Sequence, residues 1–180
     1  YARGMMQHHP SGLDVLNAPT DVMPLNSVQP EAIGALIDAL GAQYDYLVLD
    51  LPRALVDWLE PVIKKSSRLH LVMDTSVPCI RHAKRLIDFY QESQIGLPVD
   101  LIVNREAKPL LKSSVIKDAE AVLDHTFSHW LPEDSKACRR AVDLGKPVSI
   151  SSANSAFSKA CSRVANSTVS SFAKTATAQR

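Results

Sequence analysis

One apolar stretch limits what this chain can fold into more than any other feature of its sequence. It extends from Gln43 to Arg53, is rich in Tyr, Leu and Val up to Asp50, and contains Pro52 near its end. A run that is bulky on both faces is typical of a strand buried on both sides, as in parallel sheets covered by helices. Because such sheets bind ligands at the carboxyl ends of their strands, Asp50 is predicted to lie where a metal or phosphate could bind. The alternative is that Asp50 only begins a turn, with Pro52 helping to end the strand.

The rest of the sequence alternates between strand patterns and helix patterns. For example, apolar residues recur at helical spacing between Pro30 and Gly41, two residue types that suit the ends of a helix. Besides residues 44–50, the predicted strands are 13–18, 68–74, 99–105 and 127–131, and the predicted helices are 30–41, 55–65, 78–95, 115–123, 135–144 and 157–168. This order predicts an α/β fold with a mainly parallel, doubly wound sheet and helices on both faces. We expect a single domain over residues 1–180, with flexible segments at 1–11 and 170–180.

The charge and cysteine content disfavour several classes of protein. The 180 residues include 20 Lys and Arg against 19 Asp and Glu, so non-specific electrostatic binding to nucleic acid is not expected. The three cysteines are widely spaced and form no C-x-x-C motif, which disfavours a disulfide framework or a thiolate zinc site. No apolar run approaches the roughly 18 residues that a membrane span needs. We therefore expect a cytoplasmic protein without a membrane anchor and without a nucleic-acid partner.

Polar residues follow three further predicted strands at the points where those strands end. They are Asp74-Thr75, Asn104-Arg105 and the trio Pro132, Glu133 and Asp134. If the strands are parallel, these residues and Asp50 lie along one edge of the sheet. Such an edge can bind a nucleotide, with an acid that holds Mg²⁺ through water, or it can act as a phospho-receiver with a phosphorylatable Asp.

The sequence completes neither kind of site. It contains no G-x-x-x-x-G-K-[ST] motif, and its only Gly-Lys pair, Gly145-Lys146, comes after a predicted helix and before Pro147. A phospho-receiver would need a Lys where Arg105 stands, and a pair of acids at the end of the first strand. The residues alone therefore predict a metal-type acid without a phosphate-binding loop.

Several segments together resemble a known family in their order and spacing. They are Tyr44–Arg53, the following helix with Trp58, Leu69–Met73 with Pro78 and Arg81 beyond it, Ile102–Arg105, Leu131–Asp134 and Ala141–Pro147. This set, over roughly residues 12 to 165, resembles the C-terminal two thirds of CpaE/TadZ pilus-assembly proteins, which belong to the ParA/MinD class of P-loop ATPases. The P-loop part of that family would precede Tyr1 and is absent from this sequence, so the chain alone is expected to be inactive as an ATPase.

The resemblance implies a cytoplasmic protein of type IV (Flp/Tad) pilus assembly. Such a protein localises the pilus and secretion machinery, often at a cell pole, through its partners at the inner face of the membrane, and it forms a homodimer around ATP and Mg²⁺. By the resemblance, Asp50 is the Walker B acid that contacts Mg²⁺ through water. The adenine side would comprise Asn104, Arg105, Pro132, Glu133 and Asp134. Two alternatives stay open: a non-catalytic localisation or scaffold module that keeps the fold without ATP hydrolysis, and a phospho-receiver-like signalling domain.

Overall fold

The computed structural model describes residue 4, residues 6–17, residue 24, residues 27–93 and residues 96–178. Its elements are β1 (Gln7–His8), β2 (Asp14–Val15), α1 (Pro30–Gly41), α2 (Leu59–Lys65), β3 (Leu69–Met73), α3 (Val77–Ser93), β4 (Val99–Asn104), α4 (Ser114–Leu123), β5 (Phe127–Leu131), α5 (Ser135–Asp143), α6 (Val148–Ser151) and α7 (Ala156–Ala178). The chain divides into two compact units, one comprising Tyr1–Ser67 with Ser93–Ile95 and the other Arg68–Glu92 with Gly96–Arg180. The expected single domain and flexible ends stay predictions, and residues 1–3, 5, 179 and 180 of those ends lie outside the described residues.

The second unit contains a three-stranded parallel sheet in the order β3-β4-β5. Met73 of β3 pairs with Val103 of β4, and Asn104 of β4 pairs with Leu131 of β5. A parallel neighbour requires a crossover connection, and here α3 and α4 provide the two crossovers. The predicted α/β fold with a parallel sheet is therefore confirmed, and the carboxyl ends of all three strands lie at one edge.

The core of this unit lies between the sheet and two of its helices. The central strand β4 is buried on both faces, since Leu101 and Val103 are 0% exposed and Ile102 is only 4% exposed. The buried cluster comprises side chains of the sheet, α3 and α4, namely Met73, Ile80, Ala83, Ile87, Leu101, Val103, Ala119, Leu123, Phe127 and Trp130. Helix α7 contacts β5 and hydrogen-bonds through Thr168 to His70, which alternates with the core-facing Leu71 along β3. Helices thus cover both faces of the sheet, as predicted.

Short polar contacts fix the ends of α4 and join it to the next strand. Ser113 accepts a hydrogen bond from the backbone N–H of Ile116 at 3.3 Å, which caps the helix. Glu120 accepts hydrogen bonds from Lys112 Nζ at 2.6 Å and from the backbone N–H of Phe127 at 2.9 Å. Burial alone would raise the pKa of Glu120, but these hydrogen bonds and the charge of Lys112 together lower it. The carboxylate form of Glu120 therefore stabilises the junction between α4 and β5.

The first unit is built around α1, α2 and a small hairpin. Strands β1 and β2 pair antiparallel, and the two helices are joined by an ion pair in which Lys65 Nζ lies 2.6 Å from Asp38 Oδ1. Helix α2 begins only at Leu59, later than predicted, because Pro61 is tolerated in the first turn of a helix and not in its interior. The Tyr44 hydroxyl donates a hydrogen bond to Asp14 Oδ2 at 2.6 Å. This bond connects the hairpin to the chain that follows α1.

Two of the predicted strands are wrong in this unit. Residues 46–52 run without regular secondary structure, so the strand predicted over 44–50 is not formed. Among the residues that the structure describes, no strand pairs with this segment, and an extended chain without a hydrogen-bonded neighbour forms no sheet. The strand predicted over 13–18 is reduced to Asp14–Val15, which joins the antiparallel hairpin instead of the parallel sheet, and residue 18 lies outside the described residues.

Candidate functional site

Three loops follow the carboxyl ends of the parallel strands in the second unit. Asp74, Thr75 and Ser76 follow β3, the segment Asn104–Glu106 ends and follows β4, and Pro132–Asp134 follow β5. The register places Asn104 directly beside Leu131, the residue before Pro132. The structure therefore brings Asn104, Arg105, Pro132, Glu133 and Asp134, five of the predicted site residues, to one edge of the sheet.

Glu106 connects the loop after β3 and its own loop after β4 to the last residue of β5. Its carboxylate accepts hydrogen bonds from the backbone N–H and the hydroxyl of Thr75, each at 2.9 Å. Its own backbone N–H donates to the carbonyl of Leu131 at 3.1 Å. The sequence interpretation missed Glu106, although its position directly after Asn104-Arg105 at a strand end was an available signal. The loop after β3 is also ordered internally, because Asp74 Oδ1 accepts from the backbone N–H of Ser76 at 2.9 Å.

Asn104 and Arg105 adopt a tight local conformation. Arg105 has φ of 64°, in the left-handed region that side chains other than Gly rarely adopt. The side-chain oxygen of Asn104 accepts a hydrogen bond from the backbone N–H of Arg105 at 3.0 Å. This contact leaves one lone pair of that oxygen and the amide NH₂ of Asn104 without a partner among the described residues. Asn104 can therefore both donate to and accept from a ligand.

The loop after β5 is held by its own side chains. Asp134 caps α5, since its Oδ1 accepts from the backbone N–H of Ala137 at 3.0 Å. Glu133 accepts from the Ser135 hydroxyl at 3.0 Å, and its Oε1 lies 3.6 Å from Arg105 Nη2. Both partners of this ion pair are well exposed, which makes its contribution to stability small. Asp134 thus has a structural role as the N-cap of α5.

Asp50 lies in the first unit, in the segment without regular structure, and it is exposed. Its predicted role at Mg²⁺ stays a prediction. Among the residues that the structure describes, no group of three or more His, Cys, Asp or Glu side chains could hold a metal ion directly. A single carboxylate that contacts Mg²⁺ through water needs no such group, because Mg²⁺ usually keeps several waters.

A second polar cluster lies on the α7 side of the sheet. Asp100 Oδ2 is 2.7 Å from Arg68 Nη1 and 3.5 Å from His70 Nδ1. His70 Nε2 lies 3.2 Å from the Thr168 hydroxyl of α7. Burial lowers the pKa of His70; the charge of Asp100 opposes this, and Arg68 and His129 lower the pKa further. His70 is therefore biased toward the neutral form that fits between the sheet and α7.

Solved structures show which known fold this arrangement matches. A ParA family ATPase from Chlorobium tepidum TLS superposes with a TM-score of 0.78 at 22% identity, covering 88% of this chain and 65% of that one. The chain has the fold of ParA and MinD. The MinD cell division protein of Aquifex aeolicus matches with a TM-score of 0.63 at 21% identity, covering 86% of this chain and 64% of that one. The same protein in a MinC:MinD complex matches with a TM-score of 0.69 at 21% identity, covering 88% and 64%.

The sequence comparison points in the same direction. The septum site-determining protein MinD of Bacillus subtilis (strain 168) is 23% identical over 132 residues, which are 72% of this chain and 49% of that protein. This match supports homology to ATPases of the MinD/ParA type. The chain spans about half the length of this curated relative. No family model matches the sequence. In the part of the chain that the structure describes, no helix has both the length and the apolar character needed to cross a bilayer.

Proposed function

We propose that the protein acts in type IV (Flp/Tad) pilus assembly as part of a ParA/MinD-like ATPase of the CpaE/TadZ kind. Its parent would form a homodimer around ATP and Mg²⁺ and localise the pilus machinery, at a cell pole or at the inner face of the membrane. The ParA/MinD fold and the ordered set of segments from Tyr44 to Pro147 support this proposal. A phospho-receiver gains no such support, because the matching structures named above are a ParA family ATPase and a MinD cell division protein.

The observation that carries the nucleotide part of the proposal is the position of Asn104 beside the loop after β5. The free amide NH₂ and the remaining lone pair of Asn104 offer the donor and acceptor that adenine N7 and N6 require. The residues of this chain thus fit the base of ATP. They do not fit its phosphates, because the sequence contains no glycine-rich loop with a Lys.

Asn104→Ala in the full-length parent tests the base site. We expect adenine nucleotides to bind more weakly by about 1–3 kcal/mol, the usual cost of an unpaired buried polar partner, with reduced discrimination between ATP and GTP. Asn166→Ala, an exposed Asn of α7, serves as the matched control and should leave both affinities unchanged. Equal losses for ATP and GTP would show that Asn104 does not recognise the base.

A scaffold function without ATP hydrolysis is the second candidate. It is favoured by the contacts at the sheet edge, where Glu106, Glu133 and Asp134 are all satisfied within the protein. Calorimetry of the 180-residue chain with Mg-ATP should show at best millimolar affinity, because loop N–H groups and a Lys provide most of the phosphate affinity in such sites. Micromolar affinity would contradict the missing phosphate site.

Complementation separates the two candidates. In a strain that lacks the parent gene, a parent with Asp50→Asn should fail to restore surface pili if ATP turnover is required. The same variant should restore them if the protein acts only as a scaffold. Normal piliation in the deletion strain itself would contradict a role in pilus assembly of either kind.

A further inference from the structure

The segment 107–117, which runs from the loop after β4 into the first turn of α4, exposes apolar side chains that the fold does not use. Leu110 is 102% exposed and Leu111 is 87% exposed, so neither packs against the rest of the chain. Val115, in the first turn of α4, is 64% exposed. Single exposed apolar residues are common on protein surfaces, whereas large adjacent ones are typical of a surface that binds something.

The charged side chains of this segment are all positive. Residues 107–117 contain Lys108, Lys112 and Lys117 and no Asp or Glu. All three lysines are exposed, and Lys112 Nζ lies 2.6 Å from the carboxylate of Glu120. Lys108 and Lys117 have no carboxylate partner among the residues that the structure describes. The exposed basic faces of α3 and α5 differ, because each also holds a carboxylate in an ion pair within the helix. The segment 107–117 thus combines adjacent exposed leucines with uncompensated positive charge.

A protein partner or a second copy of the chain is a poor match for this segment. A specific protein interface involves about 20–30 residues on each side, and a single short segment with three exposed apolar side chains offers far less. A symmetric pair of copies would also bring two sets of lysines together, because the same surface then contacts itself. The phosphates of a nucleic acid would attract the lysines but would give the leucines no apolar environment.

We propose that the segment 107–117 binds reversibly to the surface of a membrane that contains anionic lipids. Leu110 and Leu111 would leave water for the boundary between headgroups and acyl chains, which favours binding. Lys108 and Lys117 would lie against the anionic headgroups, which attract basic residues close to the surface. A bilayer yields to a protruding loop, so the small size of the segment is no obstacle. Such a contact requires no membrane-spanning helix, and two leucines are too few for permanent attachment.

Flotation of the 180-residue chain with lipid vesicles tests the proposal. One set of vesicles is phosphatidylcholine alone, and the other also contains about 30% phosphatidylglycerol, each at about 0.05 M and about 0.3 M salt to follow screening. The chain should bind the phosphatidylglycerol vesicles, and more weakly at the higher salt concentration. Leu110→Ser/Leu111→Ser should weaken this binding about tenfold or more, since two apolar side chains no longer leave water. Val142→Ser/Leu144→Ser also removes two exposed apolar side chains, beside the arginines of α5, and should change binding less than about twofold.

Leu110→Trp provides a second variant that reports the contact directly. Relative to the unmodified chain, its added emission should move to shorter wavelength when phosphatidylglycerol vesicles are present, because Trp prefers the membrane interface. Val142→Trp, at an exposed position of α5, should show no such shift. All of these positions are exposed, so each variant should keep the melting temperature of the unmodified chain.

Several outcomes would overturn the proposal. They are the absence of any binding of the unmodified chain to phosphatidylglycerol vesicles, equal weakening by both double variants, and equal spectral shifts for the two Trp variants. Analytical ultracentrifugation adds a further outcome. If Leu110→Ser/Leu111→Ser converts a dimer into a monomer and leaves vesicle binding unchanged, the segment is an interface between copies of the chain and the proposal is wrong. These measurements involve no nucleotide, so their failure leaves the proposed ATP site untouched.

Discussion

Strand β4 and the segment 46–52 have similar sequences and different structures. Both are apolar runs with polar residues at their ends, yet Val103 of β4 is 0% exposed whereas Val48 is 90% exposed. β4 has a hydrogen-bonded parallel neighbour on each side, and the segment 46–52 has none among the described residues. The comparison shows that an apolar pattern is not sufficient for a strand, because a strand forms only where a neighbouring strand can pair with it.

The largest effect on stability is expected when one valine is truncated in each region. Val103→Ala should lower the free energy of unfolding by about 2–3 kcal/mol, because it removes buried methyl groups from the core. Val48→Ala should change it by less than about 0.5 kcal/mol, as for most exposed positions. Urea unfolding followed by circular dichroism measures both. Similar losses for the two variants would mean that the segment 46–52 is buried in solution.

A smaller effect is expected for two acids, Asp134 at the start of α5 and Asp50 in the segment 46–52. Asp134→Ala should cost about 1 kcal/mol, the typical value for losing a helix cap, because the N–H of Ala137 loses its acceptor. Asp50→Asn should be nearly silent for folding, since Asp50 is exposed and begins no helix. Thermal unfolding of both variants checks this. If Asp50→Asn lowers the free energy of unfolding by several kcal/mol, Asp50 is a structural acid and its assignment to Mg²⁺ is wrong.

The smallest expected effect is a dependence of stability on pH, which arises from His70 in the sheet. Burial lowers the pKa of His70 below its ordinary value of 6.5, so the folded chain binds fewer protons there than the unfolded chain does. Stability should therefore fall as the pH drops through 6.5 toward the lowered pKa of the folded state. His70→Gln should reduce the change in melting temperature between about pH 7.5 and about pH 5.5, the range in which histidine titrates. His82→Gln, an exposed control on α3, should leave the slope unchanged, and parallel slopes for all three proteins would exclude His70 as the cause.

The sequence predicted those parts of the fold that depend on local signals and on pairing within this chain. The crossovers through α3 and α4 and the strands β3, β4 and β5 all formed where expected. The strand at 44–50 could not be judged from its own residues, because strand formation depends on a neighbour elsewhere in the chain. The position of Glu106 directly after Asn104-Arg105 marked it as a strand-end residue. Its contacts with Thr75 and Leu131 could not be predicted, since they arise only once three separate segments meet.

Glu106 also determines how the sheet edge would respond to a ligand. Because this one residue hydrogen-bonds to the loop after β3 and to the last residue of β5, it fixes the ends of three strands relative to one another before anything binds. The conformational entropy of ordering those loops is then lost on folding and not on binding, which favours affinity. The same bonds mean that a displacement imposed on one loop is transmitted to the other two. A ligand that displaces one of these segments should therefore displace all three together.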